Sequence, residues 1–417
     1  EGVSNFNRVG MQTSRVASGP PYWPLGTSTP QYIGNMDAGA VAGSYSVWAF
    51  EDRDPLTGKI YLRVVFQDEV RRQTLSEATV RDVTGTYSYG RPRLVSTGSL
   101  VHLYYTKYTT QGGSTDDWDL CHRPITNITA VELGSETVIQ SITGIGGGAE
   151  GAASTRCLFD GVYCPAYNSG ADGPYVGLVV REGSPYNITF WLLDATDGVT
   201  TVMANFGVPS SRPNQLTACW TVDGSNVGRL FALFEANSNS GSIRCIPYVD
   251  TNTVGSEATA ASTGGATNSI GRIVAYDPNP GANDPFVLGY DACRVTTWTS
   301  PVDARTDFWT ATASKASGTN ASIGKQFEGW HIHAKPFYLG DRYWLPMMIA
   351  SALQPTVYVV DLSTRLDYND TDNSALGPLV LARVDYGECG RLADYWVPDQ
   401  RVPNCFISSN EQLNASQ

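Results

Sequence analysis

One pattern decides the fold, and it is clearest in Pro92-Arg-Leu-Val-Ser-Thr-Gly-Ser-Leu-Val-His-Leu-Tyr-Tyr105. This stretch reads as an apolar strand, a glycine turn and a second apolar strand. Six other stretches follow the same pattern, and they begin at Ala40, Leu158, Leu216, Ile273, Pro336 and Leu379. The marker glycines are 55, 63, 63, 57 and 59 residues apart, and they are Gly43, Gly98, Gly161, Gly224, Gly281 and Gly340. A period of about 60 residues predicts an array of equal modules.

The modules are predicted to be β rather than α. Val, Tyr, Phe, Trp and Thr dominate the apolar runs, and Gly, Pro, Asn and Asp separate them. No long window places its apolar residues at helical spacing. A third apolar run follows most pairs, as at Ile60–Phe66 and Ile188–Leu193, and a fourth, more polar strand is expected after it. Four antiparallel strands per module, repeated around an axis, form the blade of a β-propeller.

We therefore predict an all-β fold, a β-propeller of six blades, with seven as the alternative, each blade a four-stranded antiparallel sheet. The predicted parts are a Pro-rich N-terminal segment over residues 1–36, propeller repeats over residues 37–378, and residues 379–417. This last part is a C-terminal strand or tail that closes the ring or leads out of the domain. The rival folds are paired β-sandwiches, which lack so long a period, and a β-solenoid, whose period is about half this size or less.

Composition limits the function. Charged residues make up 16% of the chain and the net charge is −12, which excludes binding to DNA or to an anionic membrane through the overall field. The absence of an 18-residue apolar run predicts no membrane insertion. The chain opens at Glu1 without an initiating Met, so we expect a cleaved leader or a larger polypeptide upstream.

The eight cysteines predict no zinc site, because no two form a Cys-x-x-Cys pair. Cys157 and Cys164 flank a predicted turn and could face each other as a disulfide. Buried free thiols are the favoured interpretation for cysteines spread singly through apolar strands.

The histidines predict no metal site. His331 and His333 lie on one face of a predicted strand, and a metal would require His102 or His122 from another blade to converge on them. Ordinary polar strand positions are the favoured interpretation.

The acidic and glycine-rich segments also fail as metal or cofactor motifs. Residues 367–374 are rich in side-chain oxygens but lack the glycine and glutamate of an EF-hand loop. Residues 51–54 and 116–119 are predicted to be similar acidic loops. Residues 146–151 match the dinucleotide fingerprint in form, yet no helix follows them. We predict no metal and no cofactor.

Glycoside hydrolysis is the most serious enzymatic alternative, because it needs only two or three carboxylates around a pocket. The candidates recur near the starts of inner strands, and they are Asp37, Asp160, Asp223, Asp284 and Asp341. Turn chemistry is the favoured interpretation, since they recur beside the marker glycines and Asp is common in turns. The repeated Ser-x-Asp-x-Gly-x-Thr-Trp turn of sialidase-like propellers is absent, and Ser169–Gly173 comes nearest. We predict no catalytic residue and no enzymatic activity.

Two side-chain classes carry further expectations. Tyr and Trp outside the core runs suit contacts with protein or sugar, or simply fill the space between sheets; they are Tyr22, Trp23, Tyr87, Tyr89, Trp118, Trp298, Trp309 and Trp330. Arginines that flank strand starts are expected in inter-blade or turn hydrogen bonds; they are Arg91, Arg93, Arg229, Arg272 and Arg342.

The run from Pro92 to Tyr105, the similar run at Pro336 and the low-charge loops between them resemble the propeller region of tail proteins from short-tailed bacteriophages. The resemblance is to the nozzle, or tail-hub, protein, and it covers roughly residues 35 to 400. It implies a non-enzymatic structural protein of the virion tail that forms a homo-oligomeric ring around the DNA exit channel. The implied partners are an adaptor and tail fibres, without tight nucleic-acid binding.

Two alternatives stay open beside this resemblance. One is a glycan-binding or glycoside-hydrolysing propeller. The other is a secreted eukaryotic adhesion propeller with an extracellular location. Asn-x-Ser/Thr glycosylation patterns favour it, and they begin at Asn127, Asn187, Asn320, Asn369 and Asn414.

Overall fold

The structure is a computed structural model of the chain. It describes residues 36–41, 45–53, 57, 59–68, 73–97, 100–109, 115–127, 132–146, 159–167, 172–181, 187–210, 213–222, 227–236, 242–250, 253–262, 268–276, 286–294, 301–309, 321–322, 330–332, 337–339, 342–349, 356–361, 380–385, 395–396 and 407–408. Among these residues no helix has the length and apolar character needed to cross a bilayer.

Six antiparallel sheets follow one another along the chain. Blade 1 contains β1 Met36–Val41, β2 Tyr45–Arg53, β3 Ile60–Asp68 and β4 Gln73–Val80. Blade 2 contains β5 Tyr87–Ser96, β6 Val101–Thr109, β7 Thr115–Asn127, β8 Glu132–Leu133 and β9 Thr137–Gly146. Blade 3 contains β10 Phe159–Cys164, β11 Tyr175–Arg181, β12 Ile188–Asp194 and β13 Thr201–Gly207.

The second half of the chain repeats this arrangement. Blade 4 contains β14 Pro213–Val222, β15 Gly228–Ala236, β16 Ser242–Asp250, β17 Thr253–Val254 and β18 Ala258–Ser262. Blade 5 contains β19 Asn268–Tyr276, β20 Phe286–Arg294, β21 Pro301–Trp309 and β22 Ala321–Ser322. Blade 6 contains β23 Trp330–Ile332, β24 Phe337–Leu339, β25 Arg342–Ile349, β26 Thr356–Asp361 and β27 Val380–Asp385. The short strands β28 Tyr395–Trp396 and β29 Ile407–Ser408 pair with each other.

The sheets form a closed ring. The strands of each sheet pair antiparallel, and in blades 1, 3 and 5 they pair in the order in which they occur in the chain. In blades 2, 4 and 6 one strand pairs along one edge with two shorter strands, β7 with β8 and β9, β16 with β17 and β18, and β25 with β23 and β24. The first strands of neighbouring sheets lie against each other, from β1 through β5, β10, β14 and β19 to β23, and β24 of blade 6 returns to β1. Six radially repeated sheets of this kind are a β-propeller, so the predicted all-β propeller fold is confirmed with six blades. The predicted boundaries at residues 36/37 and 378/379 stay predictions.

Every described blade is continuous in sequence. No described strand of one blade pairs with a strand of another blade. Among the strands that the structure describes, blades 1 and 6 therefore meet through packing between sheets and share no hydrogen-bonded ladder.

The marker glycines fall at two kinds of position in the sequence. Gly43, Gly98, Gly224, Gly281 and Gly340 fall between the first and second strands of five blades, outside the described residues.

Gly161 was wrongly expected in a turn, because it lies inside β10 and pairs with Leu178. A methyl group on Gly161 would lie 2.8 Å from Leu178 Cδ2 and 3.0 Å from Val95 Cγ2 of blade 2. A glycine is needed at this position because Leu178 of the adjacent strand and Val95 of blade 2 both approach it so closely.

Apolar side chains fill the spaces between the first four blades. A cluster between blades 1 and 2 includes Val64 and Leu103, one between blades 2 and 3 includes Leu120 and Leu178, and one between blades 3 and 4 includes Phe190. Alternate residues of a strand point to opposite faces, so the central strands are apolar on both faces. All but the first residue of β11 are buried. This packing holds the inner strands rigidly around the axis.

Candidate functional site at the centre of the ring

Charged side chains tie the innermost strands of successive blades together. Asp37 on β1 is 1% exposed, and its Oδ2 accepts a hydrogen bond from the Leu94 backbone N–H on β5 at 2.9 Å. The bond therefore runs from blade 1 to blade 2.

Asp160 on β10 is the centre of the polar contacts. Its Oδ1 lies 3.0 Å from Arg93 Nε of blade 2. Its Oδ2 accepts hydrogen bonds from Thr217 Oγ1 at 2.8 Å and from the Ala218 N–H at 2.7 Å, both in blade 4. Asp160 is 1% exposed and Arg93 is 4% exposed. One carboxylate therefore connects three blades.

The second strands contribute one charged residue each in blades 1 and 3. Glu51 Oε1 accepts a hydrogen bond from the Arg91 backbone N–H at 2.6 Å, and Arg181 Nη1 donates to the Pro213 carbonyl at 2.6 Å. Register places Ala49 opposite Asp37 and Val179 opposite Asp160, so Glu51 and Arg181 occupy equivalent positions. We call the whole set the central belt: Asp37, Glu51, Arg91, Arg93, Asp160, Arg181 and Thr217.

Arg91 has the least usual backbone in the central belt. Its φ is +50°, in the left-handed region that non-glycine residues seldom occupy. The β5–β6 register shifts between Gly90 and Arg93, and bulges of this kind redirect side chains. Strained backbone of this type costs about 1–3 kcal/mol and is concentrated at functional sites. Arg91 is thus the belt residue that packing alone explains least well.

The sequence prediction for the aspartates needs correction. Asp37 and Asp160 lie in strands, not in turns, and they bridge blades. Asp223, Asp284 and Asp341 lie outside the described residues.

The acidic-loop interpretation is also wrong for blades 1 and 2. Glu51 and Asp52 belong to β2 and are 0% and 1% exposed. Residues 116–119 belong to β7, where Asp119 Oδ1 accepts a hydrogen bond from Ser141 Oγ at 2.6 Å. The favoured loop assignment assumed that clustered carboxylates are solvated, whereas here partners from other strands hold them. Residues 367–374 lie outside the described part of the chain.

A signal for the belt exists in the sequence. The hydrogen bond from Asp37 to Leu94 spans 57 residues, and the one from Asp160 to Thr217 also spans 57. A contact between innermost strands of neighbouring blades must span about one blade period. Pairs of polar residues separated by that period are therefore the pattern to look for.

The arginine expectation is confirmed for Arg93, which pairs with Asp160 across blades. At Arg91 the backbone N–H makes the inter-blade bond. Arg229 Nη1 donates to the Val249 carbonyl within blade 4. The side chains of Arg272 and Arg342 lie outside the described structure.

Two of the aromatic residues outside the core runs fill the space between sheets, the second of the two expected roles. Tyr89 is 6% exposed and Trp118 is 4% exposed, and each packs in an apolar cluster between blades. They are therefore core residues and not part of a contact surface.

The histidines of blade 2 meet each other and not the His331–His333 strand segment. His102 Nδ1 lies 3.0 Å from His122 Nε2. The side chain of His331 and the whole of His333 lie outside the described structure. In the described part of the chain no three His, Cys, Asp or Glu side chains form a group that could hold a metal ion.

The cysteines whose side chains the structure describes are buried thiols in no disulfide: Cys121, Cys164, Cys219 and Cys245. Cys164 thus forms no disulfide, and Cys157 lies outside the described residues. Burial raises the pKa of Cys121 and of Cys245 to about 12.

We expect iodoacetamide to leave these four cysteines unmodified in the folded protein, because the thiolate is the reactive form and it is both scarce and inaccessible. Mass spectrometry of tryptic peptides is the measurement. The same reaction in guanidinium chloride is the control and should modify all four. Rapid alkylation of Cys121 in the folded state would contradict the buried position.

Comparison with known proteins places the chain by fold alone. No family model matches it, and no curated protein matches it. It is similar to the β-propeller domain of the Trilobed protease from Pyrococcus furiosus, at 7% identity and TM-score 0.42 over 85% of this chain and 84% of that one.

Two glycan-processing enzymes are also similar in structure. A Trypanosoma rangeli sialidase matches at 10% identity and TM-score 0.48 over 80% of this chain and 54% of that one. A Penicillium chrysogenum alpha-L-arabinanase, solved with arabinobiose, matches at 11% identity and TM-score 0.44 over 72% of this chain and 83% of that one.

These matches correct the expected function. The expected non-enzymatic role in a viral tail is corrected and not retained, since the matched solved structures are mainly propellers of glycoside hydrolases and peptidases. At 8–11% identity these four structures show the fold and assign no activity to this chain. The expectation of no enzymatic activity is corrected on the same ground. The resemblance to phage nozzle proteins, the virion partners and the location stay untested predictions.

Proposed function

We propose that this chain is a glycan-binding or glycoside-hydrolysing propeller, with its saccharide site at the centre of the ring, beside the central belt. One observation carries the proposal. The inner and second strands of three successive blades bring three carboxylates and three arginines to the centre of the ring, and Arg91 among them has strained backbone.

The chemistry of sugars suits such a place. Glycoside hydrolysis uses two carboxylates fixed on either side of one bond, and catalytic groups must be held rigidly by neighbours. In the belt, the carboxylates of Asp37, Glu51 and Asp160 are fixed by bonds to backbone N–H groups. These side chains set the positions of the strands, and Arg91, at 7% exposed, is the most accessible member.

Charge favours a neutral saccharide. The net charge of −12 opposes polyanions, and Arg93 is already paired with Asp160. The many Tyr, Trp, Ser and Asn side chains offer stacking faces and hydrogen-bonding groups without charge.

We expect the protein to bind or cleave members of a panel of neutral poly- and oligosaccharides, and Arg91→Ala to weaken that interaction at least tenfold. Isothermal titration measures binding and release of reducing ends measures hydrolysis. The matched control is Arg123→Ala. Arg123 lies on β7 of blade 2, outside the central belt, and its Nε donates to Tyr105 Oη at 3.1 Å.

Three results bear on this proposal. Weakening by the belt variant with an unchanged control supports it. Equal binding by both variants would move the saccharide site away from the belt. A folded protein that neither binds nor cleaves any neutral glycan of the panel would refute the proposed function.

A further inference from the structure

A pair of buried histidines connects blade 2 to the turn between β12 and β13 of blade 3. His102 on β6 and His122 on β7 are 0% and 1% exposed. His102 Nδ1 lies 3.0 Å from His122 Nε2, and His102 Nε2 lies 3.0 Å from the Ala195 carbonyl oxygen. His122 thus contacts His102, and His102 contacts blade 3.

The carbonyl of Ala195 determines where the protons are. A carbonyl oxygen only accepts, so His102 Nε2 must carry the proton that it donates. In neutral His102, Nδ1 is then an acceptor, and His122 Nε2 must donate to it. His122 Nδ1 is left as a bare lone pair, and this buried atom has no hydrogen-bond partner. The contact is complete only while both rings are neutral.

A second proton has no acceptor. Protonation of His122 places an N–H on Nδ1, which faces no partner. Protonation of His102 puts N–H groups on both of its nitrogens, so His122 must turn its Nε2 into an acceptor and again carry a proton on Nδ1. Each route leaves a buried, unpaired N–H next to a buried positive charge, which is costly.

The groups packed against the pair do little to offset that cost. Tyr104 on β6 packs against His122 with ring centroids 4.9 Å apart and ring planes tilted by 41°, and its hydroxyl donates to the Gly198 carbonyl at 2.8 Å. In the turn, Asp197 is the carboxylate whose charge acts on both imidazoles, and it raises the pKa of each. It is exposed, and its Oδ1 is occupied by the Val199 and Thr200 N–H groups. Asp194 Oδ1 is likewise occupied by Thr196.

The direction of titration agrees with this geometry. Burial and, to a smaller extent, the neighbouring His102 together lower the pKa of His122 to about 3. Burial also lowers the pKa of His102, although the bond to Ala195 and the charge of Asp197 act in the opposite direction.

We infer that His102 and His122 form an acid-released latch, which holds blade 3 to blade 2 while both rings are neutral and lets the β12–β13 turn detach when they are protonated. The released rings titrate near the ordinary value of about 6.5. Since the closed state binds protons only at much lower pH, the latch is fully stable above about pH 6.5 and loses stability as the pH falls towards 3. This inference is independent of the proposed glycan site.

Hydrogen exchange of the full-length protein tests the latch. We expect the open fraction of the turn over residues 195–200, corrected for the intrinsic pH dependence of exchange, to rise by up to about a hundredfold per pH unit below about pH 6, because the opened turn leaves two imidazoles that each take up a proton. Amides of β11, such as Val179, serve as the reference and should show a much smaller rise. In the same samples, the imidazole resonances of the folded protein should show both histidines still neutral at pH 5.

His122→Gln is the decisive variant, because glutamine can donate to His102 but cannot take up a proton in this range. Its turn should lose most of the acid response, whereas the control His331→Gln should keep it. If His122→Gln does not fold, the wild-type resonances and exchange decide. A pH-independent turn, an equal acid response in β11, or imidazoles that titrate near 6.5 in the folded protein would overturn the latch.

Discussion

Gly198→Ala is expected to lower the free energy of unfolding by about 3 kcal/mol, through the sum of backbone strain and overpacking. Gly198 has a φ of +70°, and a methyl group there would lie 2.4 Å from His102 Nδ1 and 2.8 Å from His122 Nε2. Both imidazoles are buried and hydrogen-bonded, so neither can move aside cheaply. Urea denaturation followed by tryptophan fluorescence measures the loss.

Gly85→Ala is the matched control for this substitution. Gly85 has almost the same φ, +72°, but a methyl group there would meet only Thr57 at 3.5 Å, an ordinary contact distance. We expect a loss of about 1 kcal/mol from strain alone. Equal losses for the two variants would mean that the histidine pair does not pack against the turn as described.

Asp160→Ala is expected to destabilise the protein by about 3–5 kcal/mol, the usual cost of removing one partner from a buried ion pair. Arg93 would keep its charge at 4% exposure, and the Ala218 N–H and Thr217 hydroxyl would lose their acceptor. Thermal and urea unfolding measure the change.

The partly exposed pair of Arg244 and Glu257 provides the control. These groups are 3.8 Å apart, and the Arg244 side chain is 35% exposed. Arg244→Gln should therefore cost less than about 1 kcal/mol. The double variant Arg93→Met with Asp160→Leu should recover part of the loss, since it leaves no unpaired charge. A single Asp160→Ala variant as stable as the wild type would show that the belt does not hold the blades.

The architecture was accessible from the sequence because it depends on local pattern. Apolar runs separated by turn residues repeat at a period set by one blade. The strands of each described sheet come from one continuous stretch of the chain. Gly161 was misread since its flanking residues look like a strand, a turn and a strand, whereas β10 continues through the glycine. The closeness of Leu178 on β11 and of Val95 in the neighbouring blade explains the residue.

The central belt was less accessible for a physical reason. A carboxylate near a glycine is common in turns, so Asp37 and Asp160 gave no local sign of being buried. Their role depends on donors one blade period away. The meeting of His102 and His122 follows from the register of β6 and β7, which the spacing of apolar residues alone does not fix. Function could not be read from loop composition, which many propellers share.

The continuity of each sheet in sequence has a consequence for how such a chain can change. A segment that carries one whole blade can be duplicated or lost without cutting any of the described hydrogen-bonded ladders, because no described strand is shared between blades. What must adapt is the angle at which neighbouring sheets meet and the side chains at their faces. The number of blades is thus a property that unequal recombination can alter in single steps, and the ties between blades, above all Asp160 with its partners on either side, limit which steps survive.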